Sequence, residues 1–143
     1  MPGPEIPETD HVSRLCGAAR RDEQGRPLGL AFRLRSGESY LSVNWLELTQ
    51  ARSRTDQLAN VRVHLQGKGI SLGATACLAV LHLGSTFDLV AAEWKGGSRL
   101  HAHHEPTLPS DPSHAGIYGY APEDRLVAQL IALSVAEIHP ARG

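Results

Sequence analysis

The chain has 143 residues, 41% of them hydrophobic, with a formal net charge of -1 and a pI near 6.7. That is enough for one domain with its own core, and a near-neutral balance excludes whole-protein attraction to nucleic acid or an anionic membrane. No apolar stretch of about 18 residues and no basic start with an apolar signal core occurs, so the expectation is a cytoplasmic protein without a membrane partner.

Residues 1–10 hold three prolines and three acids with little to bury, which predicts a flexible tail ahead of a single α+β domain over 11–143. Val12 to Ala18 and Leu28 to Leu34 have strand-like composition around the polar connector Asp22 to Pro27, which reads as a hairpin. Ser42 is placed to cap a short helix through Leu48. A second helix is expected from Thr55, with Asp56 in its first turn, Leu58, Val61 and Leu65 at helical spacing, and Gly67 at its end. Ala76 to Leu83 and Phe87 to Trp94 read as strands joined by Gly84, Ser85 and Thr86, with Arg99 to Glu105 as the third strand of that meander. Pro122 opens a last helix whose apolar stripe runs from Leu126 to Ile138, placed to pack on the sheet. The expected architecture is a mainly antiparallel sheet of about five or six strands, one or two central helices and a C-terminal amphipathic helix. Cys16 and Cys77 are isolated in sequence, so neither a zinc ribbon nor a redox pair is indicated.

The densest chemistry is histidine. Of eight in the chain, His101, His103, His104 and His114 lie within fourteen residues, beside Glu105 and Asp111. On a strand, His101 and His103 share a face and His104 takes the other. With His114, and with Asp111 nearby, they are candidates for an open three-ligand site for zinc or another divalent transition metal, serving a metal-assisted hydrolase or nuclease. No His-Glu-x-x-His pattern supports that reading. A plainer alternative needs no cofactor: the histidines are half-exposed strand residues, and Asp111, Pro112, Ser113 and His114 make a turn. Residues 13–62 carry nine arginines against five acids, and Arg14, Arg20, Arg21, Arg33 and Arg35 are the candidates for a nucleic-acid adaptor. Trp45, with Asn44 and Glu47, is the candidate partner-binding patch.

Two stretches, Leu41 to Glu47 (LSVNWLE) and Pro112 to Ile117 (PSHAGI), resemble short motifs that recur in small bacterial proteins of undescribed function. The resemblance implies no activity, and it separates His114 from the His101 to His104 run. With a good core and no complete catalytic set, the expected function is a non-catalytic accessory protein of a bacterial multi-gene system that binds another protein.

Overall fold

The computed structural model describes residues 2–106 and 109–143. Six strands form one antiparallel sheet: β1 (His11–Cys16), β2 (Leu41–Trp45), β3 (Cys77–His82), β4 (His101–His104), β5 (His114–Tyr118) and β6 (Glu137–Pro140). Their spatial order is β4-β5-β2-β1-β3-β6. Among the described residues three α-helices accompany the sheet: α1 (Arg54–Gly67), α2 (Leu83–Glu93) and α3 (Arg125–Leu133). The α+β architecture is therefore as the sequence predicts, although β3 and β4 are not neighbours and form no meander.

Alternation along the strands divides the core in two. Val12, Val43, Ala79, Leu81, Ala115 and Ile117 face one way, packing with α2, α3 and a 3₁₀ turn at Gly29–Phe32. Leu78 and Val80 face the other way, against Leu58, Val61 and Leu65 of α1. Helix α1 packs on the β1 and β3 side of that second face, and its C-terminal end reaches the turn that precedes β5. The outer part, over β2, β5 and β4, is left with a polar surface.

Several local expectations change. Leu28 to Leu34 is not a strand: the Gly29–Phe32 turn buries Ala31 and Phe32 and leaves Leu28 and Leu30 exposed. Leu41 to Trp45 is a strand, with the helical geometry delayed to a 3₁₀ turn at Leu46–Thr49. Helix α1 starts one residue before Thr55, and its cap is Ser53, whose Oγ accepts the Asp56 N–H at 3.1 Å. The apolar Phe87 to Glu93 run is helical, with Trp94 as its C-cap. His82 caps that helix, its Nδ1 accepting the Ser85 N–H, so Gly84, Ser85 and Thr86 form its first turn. Helix α3 begins at Arg125, not Pro122, and ends at Leu133, and Glu137 to Pro140 returns to pair with β3.

Of residues 1–10, expected as a flexible tail, residues 3–6 run along the outer edge of β4, and the Glu8 and Asp10 carbonyls accept from Gly84 and Leu83 at the start of α2; Met1 of that tail is outside the described residues. The Ile6 N–H donates to the Ala102 carbonyl at 2.9 Å, the His104 N–H to Pro4, and Ile6 is buried in the core. One well-placed isoleucine and ladder hydrogen bonds hold what composition alone leaves loose. Cys16 and Cys77, far apart in sequence, are direct partners across β1 and β3 and are both buried.

Gly116 on β5 sits under the Tyr40 ring, where an added Cβ would come within 2.4 Å of Cδ2 and 2.7 Å of Cγ. Because the ring base and not a flexible tip is in the way, Gly116→Ala is expected to cost about 1–3 kcal/mol, measurable by urea unfolding.

Candidate functional site

The two motifs quoted above, about seventy residues apart, are neighbours in space. Strands β2 and β5 pair antiparallel, with Leu41 opposite Ile117, Ser42 opposite Gly116, Val43 opposite Ala115 and Asn44 opposite His114. At the end of that ladder the Trp45 N–H donates to the Ser113 carbonyl at 2.8 Å. The Asn44 amide then ties the strands to the Asp111–Ser113 turn, Nδ2 donating to Asp111 Oδ1 at 2.8 Å and to Ser113 Oγ at 2.9 Å.

Helix α1 and its C-cap, Lys68, contribute two polar residues to the same junction. His64 Nδ1 lies 2.7 Å from Ser113 Oγ, and Lys68 Nζ donates to Asp111 Oδ2 at 3.0 Å. Asp111 is fully buried, so a charge that would be costly alone is matched by an ammonium and an amide. His64 and Lys68 are four residues apart, one helical turn, beside Val61 and Leu65 on the buried stripe. That polar pair flanking an apolar stripe is the sequence signal that could have singled them out.

A serine bonded to a histidine invites a nucleophile reading. The surroundings argue against it: Ser113 is buried, and among the described residues no carboxylate is bonded to His64. The network is a clamp that fixes the wall of an adjoining cleft. That cleft, about 240 Å³, lies between the sheet and the C-terminal end of α1, with Ser13, Arg14, Arg35, Asn44, Lys68 and His114 among its lining residues.

The histidines expected to act together are each engaged elsewhere. His103 Nδ1 donates to the Gly3 carbonyl, and its Nε2 meets His101 Nδ1 at 2.7 Å. His101 stacks on Tyr118. His104, on the opposite face, donates from Nε2 to the Pro112 carbonyl and packs edge-on against Trp45. His114 donates from Nδ1 to the Glu105 carbonyl. Carbonyls only accept, so these ring nitrogens carry protons and offer no lone pair to a cation. Among the described residues no three His, Cys, Asp or Glu side chains form a metal-binding group, so His101, His103 and His114 do not make the three-ligand site, and Asp111 belongs to the clamp. The polar face they share also holds Glu105, where the Gly3 N–H and then the Tyr118 hydroxyl keep the carboxyl below its usual range.

The partner patch proposed from Trp45, Asn44 and Glu47 is likewise occupied internally. Trp45 Nε1 donates to Asp10, Asn44 is in the clamp, and Glu47 accepts the His11 N–H while its other oxygen lies 2.7 Å from the His11 ring.

The arginines separate into two groups. Arg14 is pinned inside, and Arg21 is spent on the Gly25 and Thr75 carbonyls. Arg20, Arg33 and Arg35 line one depression of about 440 Å³ that also includes Leu30 and Pro122. It shares Leu30 and Arg33 with a second hollow that adds Arg125 and Gln129, and Gly29 and Gln129 continue into a third with Leu28 and Leu133. The result is a groove between the Gly29–Phe32 turn and α3. Among the described residues, none of Arg20, Arg33, Arg35 and Arg125 is ion-paired. Sequence reasoning named three of these cations but missed Arg125 and the leucines, because a strand reading of Leu28 to Leu34 hides them in a core.

Among the described residues no helix is long and apolar enough to cross a membrane. No protein-family model matches the chain, and no curated protein or solved structure matches it either.

Proposed function

We propose that this chain is a non-catalytic cytoplasmic accessory protein that docks an acidic, leucine-bearing segment of another protein in the groove between the Gly29–Phe32 turn and α3. One observation carries the reading. Of the large apolar side chains exposed on the described surface, Leu30, Leu126 and Leu133 belong to these two elements, Leu28 is the N-cap of the turn, and only Val63 lies elsewhere. Exposed apolar side chains gathered beside cations that lack carboxylates fit a partner offering both apolar anchors and acids. A nucleic-acid backbone would use Arg20, Arg33 and Arg35 but leave the leucines without a role.

The test is a photo-crosslinking amino acid at Leu30, with the same probe at Val63 on α1 as the control. The expected result is one adduct at position 30, none at 63, with the captured peptide rich in Asp, Glu and Leu. The pair Arg33→Glu and Arg125→Glu is expected to cut its yield at least about tenfold. Equal labelling at both positions, or capture indifferent to charge reversal, overturns the reading. Steeply salt-dependent binding to a labelled oligonucleotide would put a nucleic-acid adaptor in its place.

A further inference from the structure

Strands β1 and β2 pair only at Val12 with Trp45 and Ser13 with Asn44. Beyond that point the Arg14 side chain takes the place of the ladder. Its Nε donates to the Ala31 carbonyl and its Nη1 to the Ser42 carbonyl, both at 2.9 Å. Two donors are thus used on neutral acceptors, and among the described residues no carboxylate pairs with this guanidinium. Burial also draws the Arg14 pKa down, as for a cation lacking a counter-charge. Next to it, Ser13 is 1% exposed, and its Oγ is the one buried side-chain polar atom among the described residues without a hydrogen-bond partner.

Both residues line the cleft beside the Asn44 clamp, together with Arg35, Lys68 and His114. Of these cations only Lys68 is ion-paired, to Asp111. An uncompensated guanidinium filling the gap between β1 and β2, and an unsatisfied hydroxyl on the adjacent residue, both bordering the cleft, are the two halves of an oxyanion site. We propose that the cleft binds a small oxyanion, a phosphate or carboxylate group, with Arg14 and Arg35 supplying charge and the Ser13 hydroxyl donating a hydrogen bond. The volume of about 240 Å³ admits such a group with a small organic body. The cleft lies beside the C-terminal end of α1 and shares Arg35 with the docking groove, so oxyanion binding is read on the free protein without a partner.

The experiment titrates the full chain with inorganic phosphate and, separately, with acetate, following thermal unfolding and calorimetric heat against chloride at matched ionic strength. Saturable stabilisation by at least one oxyanion is expected, and the arm that saturates identifies the ligand class. Two variants make the test specific. Ser13→Ala removes a hydroxyl that bonds nothing in the free protein, so its stability is expected to be equal or higher while its oxyanion affinity falls about tenfold. Arg35→Ala, at an exposed position, is expected to fold normally and bind several-fold more weakly. No stabilisation beyond chloride, or stabilisation undiminished in both variants, overturns the proposal.

Discussion

Phe32→Ala is expected to destabilise the protein by about 4 kcal/mol, whereas Leu30→Ala, two positions away, is expected to change stability by less than about 0.5 kcal/mol. Phe32 is fully buried between the sheet and α3, and its carbonyl accepts the Tyr120 hydroxyl, so truncation opens a cavity in the larger core. Leu30 is 52% exposed in the groove. A strand through Leu28, Leu30, Phe32 and Leu34 would put all four side chains on one face and make their truncations comparable. The 3₁₀ turn breaks that equivalence. Chemical denaturation of the two variants reads the difference directly, and equal losses would contradict the turn and, with it, the groove.

Asp111→Ala is expected to cost about 3 kcal/mol. Its carboxylate accepts from Asn44 and Lys68, and it anchors the turn that delivers Ser113 and His114 to β5. Lys68 keeps a partly exposed side chain, so water recovers part of its loss and the figure falls at the low end for a broken buried pair. Asn44→Ala removes the donor that links the turn to β2, and its effect is expected to be strongly non-additive with that of Asp111→Ala, because both dismantle one clamp. A double-mutant cycle by urea unfolding measures this coupling. Simple additivity would mean that the two motifs are held together by the ladder alone.

The sequence carried the fold where a single periodicity governed a segment. Strand-like composition marked β1, spacing marked α1, and the apolar run with flanking turn residues marked β3. It misled where two structures share one pattern. Helix α2 buries Leu83, Thr86, Phe87 and Val90 and exposes Ser85, Asp88 and Ala91 to Glu93, but Phe87, Leu89, Val90, Ala91 and Ala92 make a short apolar run that also fits a buried strand. Its cap is a histidine, outside the usual N-cap set, so no start signal announced it. Val135 and Ile138 continue the helical stripe of α3 although the helix ends at Leu133, Val135 lying in the connection and Ile138 in β6. Tertiary pairing with β3 outweighs local preference.

The candidate sites were legible in pieces. Asn44, Arg14 and Arg35 were singled out for separate reasons, but strand pairing is what brings them to one cleft, with Asp111 in the clamp beside it, and pairing is not encoded in any single window. The histidine run drew attention by density. Its ring nitrogens answer backbone carbonyls of Gly3, Glu105 and Pro112, a role that residue spacing does not reveal.

The facing of Cys16 and Cys77 across β1 and β3 has a consequence for heat and oxidation together. Directly opposed antiparallel residues have Cα atoms about 4.5 to 5.5 Å apart, inside the span of a disulfide. A disulfide oxidant that takes up two electrons and two protons from this pair, itself leaving as two thiols, would convert the segment from β1 through α1 to β3 into a covalent ring of about 60 residues. Unzipping the central strands would then no longer release them from each other, and the thermal endurance of the chain would become a record of the redox state around it.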